Sequence, residues 1–285
     1  MRKITFVISL LLATILHAQK PIEMLLWPNG TPNSNGLTAP EEDLEGGRVA
    51  NVVNPSITVY QAKNPNGMAV IACPGGGYAR LAMNHEGHDM ADWFNAQGIT
   101  YIVLKYRMPN GHCEVPLSDA EQAIRLVRKH ATEWKVNPQK VGIMGSSAGG
   151  HLAASLATLH SSVETHPDFQ ILFYPVISMQ EGITHMGSRT NLITKEATTE
   201  LEQKYCLEKQ VTERTPQAFI MLSADDNAVI PLNSINYFLA LREKGVSATM
   251  HIYPIGGHGW GFRDNFAYKR QWTGELEKWL REINK

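Results

Sequence analysis

Hydrophobic residues along the chain form two patterns that follow each other in turn. Short apolar or alternating runs are typical of strands, and they predict strands at residues 57–62, 68–73, 99–105, 140–144, 169–174, 219–222 and 248–253. Apolar positions spaced three and four apart are typical of helices, and they predict helices at residues 90–96, 118–134, 151–159, 232–244 and 268–283. The alternation indicates an α/β fold, in which helices cover both faces of a mostly parallel sheet.

Two helix boundaries carry residues with strong capping preferences. Ser118 is a favoured N-cap residue, so the helix at 118–134 is expected to begin there. Gly98 stands where a C-terminal glycine is expected, so the helix at 90–96 should end just before it.

Composition divides the chain into three parts. Arg2 and Lys3 precede an apolar run at 4–16 that is too short to span a bilayer. This start is typical of a secretory signal peptide at 1–18, with cleavage near Ala18, and predicts export to the periplasm or beyond. Residues 19–55 are rich in Pro, Gly and Asn and predict an irregular arm. Residues 56–285 then form one domain, with the polar segment 178–216, which contains one predicted helix at 196–205, as a short insertion.

The charge balance argues against two classes of partner. The chain has 26 Lys and Arg residues against 27 Asp and Glu, a net charge of −1. Removing Arg2 and Lys3 leaves 24 basic and 27 acidic residues, a net charge of −3. Because no basic cluster lies outside the N-terminus, neither nucleic acid nor an anionic membrane surface is an expected partner.

The three cysteines do not form a disulfide framework, since an odd number this small permits at most one bridge. Cys73 ends a predicted strand and is expected to be a buried small hydrophobic residue. Cys113 and Cys206 both fall in loop-like sequence, and the sequence leaves open whether they pair.

A Gly-x-Ser-x-Gly pentapeptide lies at 145–149, between a predicted strand and a predicted helix of small residues. A sharp turn of this kind holds its serine on a strained backbone, with the hydroxyl exposed at the carboxyl end of the sheet. Ser147 is therefore the candidate nucleophile, and Ser146 lies on the arm of the turn. The alternative is that Ser147 only caps the following helix, and the pentapeptide alone does not separate the two.

A serine hydroxyl needs a base to take its proton. In sheets of this type the partners follow the serine in the order acid, then histidine, each in a loop after a strand. Asp225 and Asp226 follow the predicted strand at 219–222, and either could be the acid. His258 follows the strand at 248–253 and lies among four glycines, which allow its ring to approach a neighbour closely. It is the candidate base.

A glycine loop, Pro74-Gly75-Gly76-Gly77, follows the predicted strand at 68–73. An acyl-transfer site needs backbone N–H donors aimed at the developing oxyanion, and the candidates are those of Gly76, Gly77 and Ala148. A plain glycine turn or a phosphate loop are the alternatives. A phosphate loop needs Gly-Lys-Ser/Thr or Gly-x-Gly-x-x-Gly, and neither is present.

The remaining candidates concern metals and substrate binding. The histidines of His-Glu-Gly-His-Asp at 85–89 are three apart and lack the His-Glu-x-x-His frame, so we interpret this stretch as a solvated loop and helix start, with no metal. His151 is expected to pack or form hydrogen bonds within the turn. Tyr78 and Trp260 flank the candidate site, and each is a candidate either for substrate binding or for packing.

With these residues in hand, the chain resembles the α/β-hydrolase superfamily and, within it, the exported acetylxylan esterase-like and feruloyl esterase-like carbohydrate esterases of polysaccharide-degrading bacteria. The resemblance rests on Pro-Gly-Gly-Gly-Tyr at 74–78, Glu-Gly at 86–87, Leu-Lys-Tyr-Arg at 104–107, Gly-Ser-Ser-Ala-Gly-Gly-His at 145–151, Asp-Asp at 225–226 and Gly-Gly-His-Gly-Trp-Gly at 256–261. Pro74 replaces the histidine of the His-Gly-Gly-Gly form found in lipase-like relatives, which favours the carbohydrate esterases.

The resemblance implies an α/β-hydrolase fold with a minimal cap and no cofactor. It selects Asp226 as the acid, because this residue precedes Val229 by three positions as in the related loops. The implied reaction is removal of a small acyl group, foremost O-acetyl, from xylan or xylo-oligosaccharides, and the partner is then an acylated saccharide. A feruloyl esterase, a peptidase, a formamidase or a non-catalytic glycan-binding protein are the alternatives.

Overall fold

The computed structural model describes residues 20–285. The signal peptide predicted at 1–18 lies outside the described residues. Within residues 20–285 we find no helix with the length and apolar character needed to cross a membrane.

The described chain contains eleven strands and seven α-helices. In chain order the strands are β1 (Ile22–Leu25), β2 (Glu42–Leu44), β3 (Arg48–Ala50), β4 (Ser56–Tyr60), β5 (Ala69–Cys73), β6 (Arg80–Ala82), β7 (Thr100–Lys105), β8 (Val141–Ser146), β9 (Gln170–Phe173), β10 (Ala218–Ser223) and β11 (Ala248–Tyr253). The helices are α1 (Ala91–Ala96), α2 (Glu114–Lys129), α3 (Ala148–Leu159), α4 (Met186–Ile193), α5 (Thr199–Tyr205), α6 (Leu232–Glu243) and α7 (Lys269–Ile283).

Eight strands form the main sheet, in the order β1-β4-β7-β5-β8-β9-β10-β11. All neighbours from β7 to β11 are parallel, whereas β4 is antiparallel to both β1 and β7. Strands β5, β8, β9 and β10 are buried along their whole length, which explains their nearly continuous apolar sequence. The predicted α/β fold with a mostly parallel sheet is confirmed.

Helix α2 begins earlier than expected. It starts at Glu114, after Cys113, so Ser118 is a helical residue whose hydroxyl donates to the carbonyl of Val115 at 2.7 Å. The prediction of Ser118 as the N-cap was therefore wrong. Pro116 lies in the first turn, where a missing N–H leaves no hydrogen bond unmade, so the proline did not exclude a helix here.

The polar segment 178–216 contains one helix more than expected. Besides α5, which matches the helix predicted at 196–205, it holds α4 (Met186–Ile193). The N-terminus of α4 is capped by the ring of His185, which accepts from the N–H of Ser188 at 3.2 Å. Histidine is not among the favoured N-cap residues, so the sequence carried no capping signal for this helix.

The segment predicted as an irregular arm is only partly irregular. β1 extends the main sheet by pairing with β4, and β2 and β3 form a second, three-stranded antiparallel sheet with β6. These strands are three or four residues long, so their hydrophobic pattern was too short to stand out. All three cysteines are free thiols, and Cys73 is buried.

A buried ion pair attaches this segment to the main domain. Arg107, after β7, donates to Asp119 of α2 through its backbone N–H, Nε and Nη2, the shortest distance being 2.7 Å. Trp27 also donates to Asp119, at 2.8 Å, and Arg107 donates to the carbonyl of Asn33 at 2.7 Å. Asp119 is fully buried, so these donors replace the water that its carboxylate has lost.

We expect Asp119→Ala to lower the free energy of unfolding by about 3–5 kcal/mol, because it leaves the Arg107 charge buried without its partner. Glu277→Ala is the matched control, since the pair of Glu277 with Arg281 is largely exposed and its loss should cost about 0.5 kcal/mol or less. Unfolding in guanidinium chloride measures both. Equal losses of unfolding free energy in the two variants would contradict a stabilising role for the buried Arg107–Asp119 ion pair.

Candidate active site

Ser147 occupies the turn between β8 and α3, and its backbone has φ 55° and ψ −121°. This left-handed φ is strained for a residue with a side chain. The turn depends on small neighbours, because a Cβ on Gly145 would lie 2.0 Å from the carbonyl oxygen of Gly149. A Cβ on Gly149 would lie 2.0 Å from the carbonyl oxygen of Cys73 at the end of β5.

The three residues predicted as nucleophile, base and acid are joined by two hydrogen bonds. Ser147 Oγ lies 2.8 Å from His258 Nε2, and His258 Nδ1 lies 2.6 Å from Asp226 Oδ2. Because a carboxylate accepts at Nδ1, the ring carries its proton there, and Nε2 is free to accept the proton of Ser147. The arrangement can transfer a proton from the serine hydroxyl while the carboxylate stabilises the imidazolium that forms.

Asp226 and its neighbour Asp225 make different contacts. Asp226 is 2% exposed, and its Oδ1 accepts from the N–H groups of Ala228 and Val229, both at 2.9 Å. Asp225 is exposed and accepts from Gly257 at 2.8 Å and Gly256 at 3.2 Å. The hydrogen bond from Gly257 lowers the pKa of Asp225. Asp226 thus contacts the imidazole, whereas Asp225 holds the backbone of the histidine loop.

The glycine loop after β5 lies beside Ser147. Gly76 and Gly77, with φ 139° and 67°, line a cavity of about 450 Å³ together with Ser147 and His258. A Cβ on Gly76 would lie 2.2 Å from the carbonyl oxygen of Arg80, so this position requires glycine. Within residues 20–285, no hydrogen bond engages the amide N–H of Gly76, Gly77 or Ala148. All three remain available to an oxyanion.

This combination of sheet and turn is matched by a known family. The model of a family with the alpha/beta hydrolase fold matches residues 70–262. The chain belongs to this α/β-hydrolase family.

Named relatives of this α/β-hydrolase act on esters and xylan. It is 42% identical to an acetylxylan esterase of Xylanibacter ruminicola over 79% of this chain and 47% of that protein. It is 35% identical to endo-1,4-beta-xylanase B of Butyrivibrio fibrisolvens over 67% of this chain and 32% of that protein. The chain therefore spans about half or less of the length of these two relatives.

A solved structure covers nearly the whole chain. The acetyl ester-xyloside bifunctional hydrolase from Caldicellulosiruptor lactoaceticus superposes with a TM-score of 0.80 at 33% identity. The match covers 93% of this chain and 97% of that one.

Tyr78 and Trp260 lie in the interior of the hydrolase and do not line the cavity at Ser147. His151 Nε2 lies 3.0 Å from the carbonyl of Tyr205, so this nitrogen carries the ring proton. His151 Nδ1 is therefore an acceptor, and the hydroxyl of Tyr78 donates to it at 3.0 Å. Trp260 donates to Ser223 Oγ at 3.0 Å and stacks on Phe266. Both aromatic side chains pack in the interior and form internal hydrogen bonds. Trp260 also lines a second, smaller cavity beside His258 and Arg263, and a substrate-binding role for either aromatic residue stays a prediction.

The backbone N–H of His151 bonds within the turn, to the carbonyl of Ser147 at 3.1 Å, but its ring bonds outside the turn, to Tyr78 and Tyr205. Burial lowers the pKa of His151 to about 4. Within residues 20–285 there is no group of three or more His, Cys, Asp or Glu side chains able to hold a metal ion. His88 instead shares a hydrogen bond of 2.8 Å with the hydroxyl of Tyr60.

The stretch at 85–89 is not a solvated loop, and Glu86 is only 3% exposed. Its Oε2 accepts from the N–H of Gly75 and its Oε1 accepts from the hydroxyl of Tyr174, both at 2.8 Å. The Tyr174 oxygen in turn accepts from the N–H of Gly261 at 2.8 Å. One carboxylate thus connects the glycine loop to the histidine loop. Glu-Gly at 86–87 contributes to the family resemblance, but the pair carries no local pattern for such a contact, so no role for Glu86 was predicted from the sequence.

An ionised Glu86 fits these contacts, because both of its oxygens face donors. Burial raises the pKa of Glu86, and the hydrogen bonds from Tyr174 and Gly75 oppose that shift. In a glutamine at this position, either orientation of the side-chain amide directs the NH₂ group at a donor, the N–H of Gly75 or the hydroxyl of Tyr174.

We expect Glu86→Gln to lower kcat about 10- to 100-fold with little change in KM, because it displaces the glycine loop from the developing oxyanion. Glu121→Gln is the matched control: Glu121 is also buried and accepts two donors of Ser161, at 2.6 and 2.9 Å, but lies outside the cavity. Steady-state kinetics on a soluble acetyl ester, alongside thermal unfolding, compares them. If both variants lose kcat in proportion to their stability, Glu86 has no positioning role.

Proposed function

We propose that the protein is a serine esterase that removes small acyl groups, foremost O-acetyl, from xylan or xylo-oligosaccharides. The observation that carries the proposal is the hydrogen-bonded chain Ser147–His258–Asp226, with Ser147 and His258 facing a cavity of about 450 Å³. A cavity of this volume is in the range that binds small molecules.

The reaction follows from these positions. Ser147 Oγ attacks the ester carbonyl carbon while His258 Nε2 takes its proton and Asp226 stabilises the imidazolium. The carbonyl oxygen becomes an oxyanion, which accepts hydrogen bonds from Gly76, Gly77 and Ala148. The C–O bond to the sugar breaks, and its oxygen leaves with the proton from His258. Water then attacks the acyl-serine, gives its proton to His258, and the acid departs as Ser147 regains that proton.

The lining of the cavity favours a small acyl group over a feruloyl group. None of the described residues that line it is Phe, Tyr or Trp, whereas a planar aromatic acid is usually held between aromatic or aliphatic side chains. The names of the acetylxylan esterase and of the acetyl ester-xyloside hydrolase support the same choice.

Export completes the proposal. Residues 1–18 act as a signal peptide cleaved near Ala18, and residues 56–285 are the catalytic domain. An exported esterase meets acetylated polysaccharide outside the cell, where the polymer is found, and the mature protein needs no cofactor for the reaction above.

We expect Ser147→Ala to lower kcat for 4-nitrophenyl acetate by about ten-thousandfold or more, because the acyl-enzyme cannot form. Ser146→Ala is the matched control and should keep activity within about tenfold. A fluorophosphonate probe should label the unchanged protein and not the Ser147 variant. Full activity of folded Ser147→Ala would overturn the assignment, and an unlabelled, inactive natural protein would favour a glycan-binding role.

We expect Asp226→Asn to lower kcat by about a thousandfold or more, since an amide reverses the tautomer of His258. Asp225→Asn, which changes only the hydrogen bonds to Gly256 and Gly257, should cost about tenfold or less. Both rates are measured on the same acetyl ester. A larger loss for the Asp225 variant would reverse the assignment of the acid.

A further inference from the structure

Three arginines border the cavity at Ser147. Arg48 belongs to β3, Arg80 to β6, and Arg263 to the segment between β11 and α7, so three separate parts of the chain contribute an arginine to the lining of one site. Arg80 and Arg263 are exposed, whereas Arg48 donates through Nη1 to the carbonyl of Glu45 at 3.2 Å. A cavity of this volume brings such groups within reach of a single ligand.

These charges have no carboxylate partner in the part of the chain that the structure describes. None of the ion pairs within residues 20–285 includes Arg48, Arg80 or Arg263. Glu86 is the one carboxylate among the described lining residues, and Gly75 and Tyr174 already occupy its oxygens. The cavity therefore has an excess of positive charge, although the chain as a whole has a net charge of −1.

Apart from Glu86, the described residues that line the cavity beside these arginines add no negative charge. Burial, together with the positive charges of Arg263 and Arg48, lowers the pKa of His85 to about 4. His85 is thus neutral at pH 7, and two guanidinium groups act on the same lining residue. Like charges gathered at one site repel each other, and an anionic ligand relieves this repulsion.

The uncharged part of the described lining lacks the aromatic side chains on which neutral sugars commonly stack. Sugar rings stack on aromatic faces, and no Phe, Tyr or Trp is found among the described residues that line the cavity. Guanidinium groups instead match a carboxylate, which accepts two parallel N–H bonds from one arginine.

We propose that the ester substrate carries a carboxylate, as an acylated saccharide with a uronic acid unit does, and that Arg80 and Arg263, with Arg48, bind this carboxylate while the ester lies at Ser147. This inference rests on the proposed function, and it adds the charge of the substrate. The arginines act in binding and take no part in the proton transfer.

The test compares two acetylated xylo-oligosaccharides that differ only in one branch sugar, glucuronic acid in one and glucose in the other. We expect kcat/KM to be at least about tenfold higher for the acid, since two partly exposed ion pairs together give an effect of that size. In Arg80→Gln/Arg263→Gln the ratio of the two kcat/KM values should fall to about one. Arg242→Gln, an exposed arginine on α6 that does not line the cavity, should leave the ratio unchanged.

Salt provides a second measurement that needs only the natural protein. Raising NaCl from about 20 mM to about 500 mM should lower kcat/KM for the acid several-fold and leave the neutral substrate nearly unchanged, because salt screens the charges. A ratio of about one in the natural protein, or a ratio that neither salt nor the arginine variant alters, would overturn the inference. Failure to release acetate from either substrate or to hydrolyse 4-nitrophenyl acetate would instead overturn the proposed function.

Discussion

The candidate site depends on the close approach of the N-terminus of α3 to the carboxyl end of β5. Gly149 allows this approach, because any side chain there would overlap the backbone of Cys73. The contact brings the start of α3 beside the glycine loop that follows β5, since a Cβ on Gly149 would lie 2.5 Å from the carbonyl oxygen of Pro74. It also explains why Ser147 has a strained φ, since the chain must reverse within one residue between β8 and α3. The strained backbone of Ser147 is held in place because β8, which leads into the turn, pairs with a buried strand on each side, β5 and β9.

The sequence predicted most of what this contact organises. Buried strands and a Gly-x-Ser-x-Gly turn have local patterns, so the main sheet and the position of Ser147 could be recognised from neighbouring residues alone. His258 and the pair Asp225-Asp226 could be recognised because each follows a strand in a fixed chain order, and the family resemblance then selected Asp226. The catalytic roles of His258 and Asp226 remain predictions, but the structure brings their side chains within hydrogen-bonding distance of each other.

What the sequence could not predict involves contacts between distant residues. Glu86 and Tyr174 are 88 positions apart, and neither carries a motif that indicates their hydrogen bond. The helix α4 depends on a histidine cap, and the short strands β1 to β3 depend on partners later in the chain. The arginines at the cavity lie on three segments and become one group only in the folded chain. Tertiary structure, rather than local preference, decides each of these features.

Residues at the cavity come from two parts of the fold, the three-stranded sheet and the main sheet. Arg48 and Arg80 lie on its strands β3 and β6, whereas Ser147, Asp226 and His258 lie on loops of the main sheet. Within residues 20–285 the two sheets share no ladder of hydrogen bonds, and it is β6, not β2 or β3, that donates to the glycine loop, from Ala82 to the carbonyl of Gly75 at 2.8 Å. Substitutions or insertions near the β2–β3 turn can therefore alter the rim of the cavity while the reacting groups keep their positions. In evolutionary terms, the rim that β3 contributes can change independently of the residues around Ser147, so members of one family can differ in the ligands that this rim contacts.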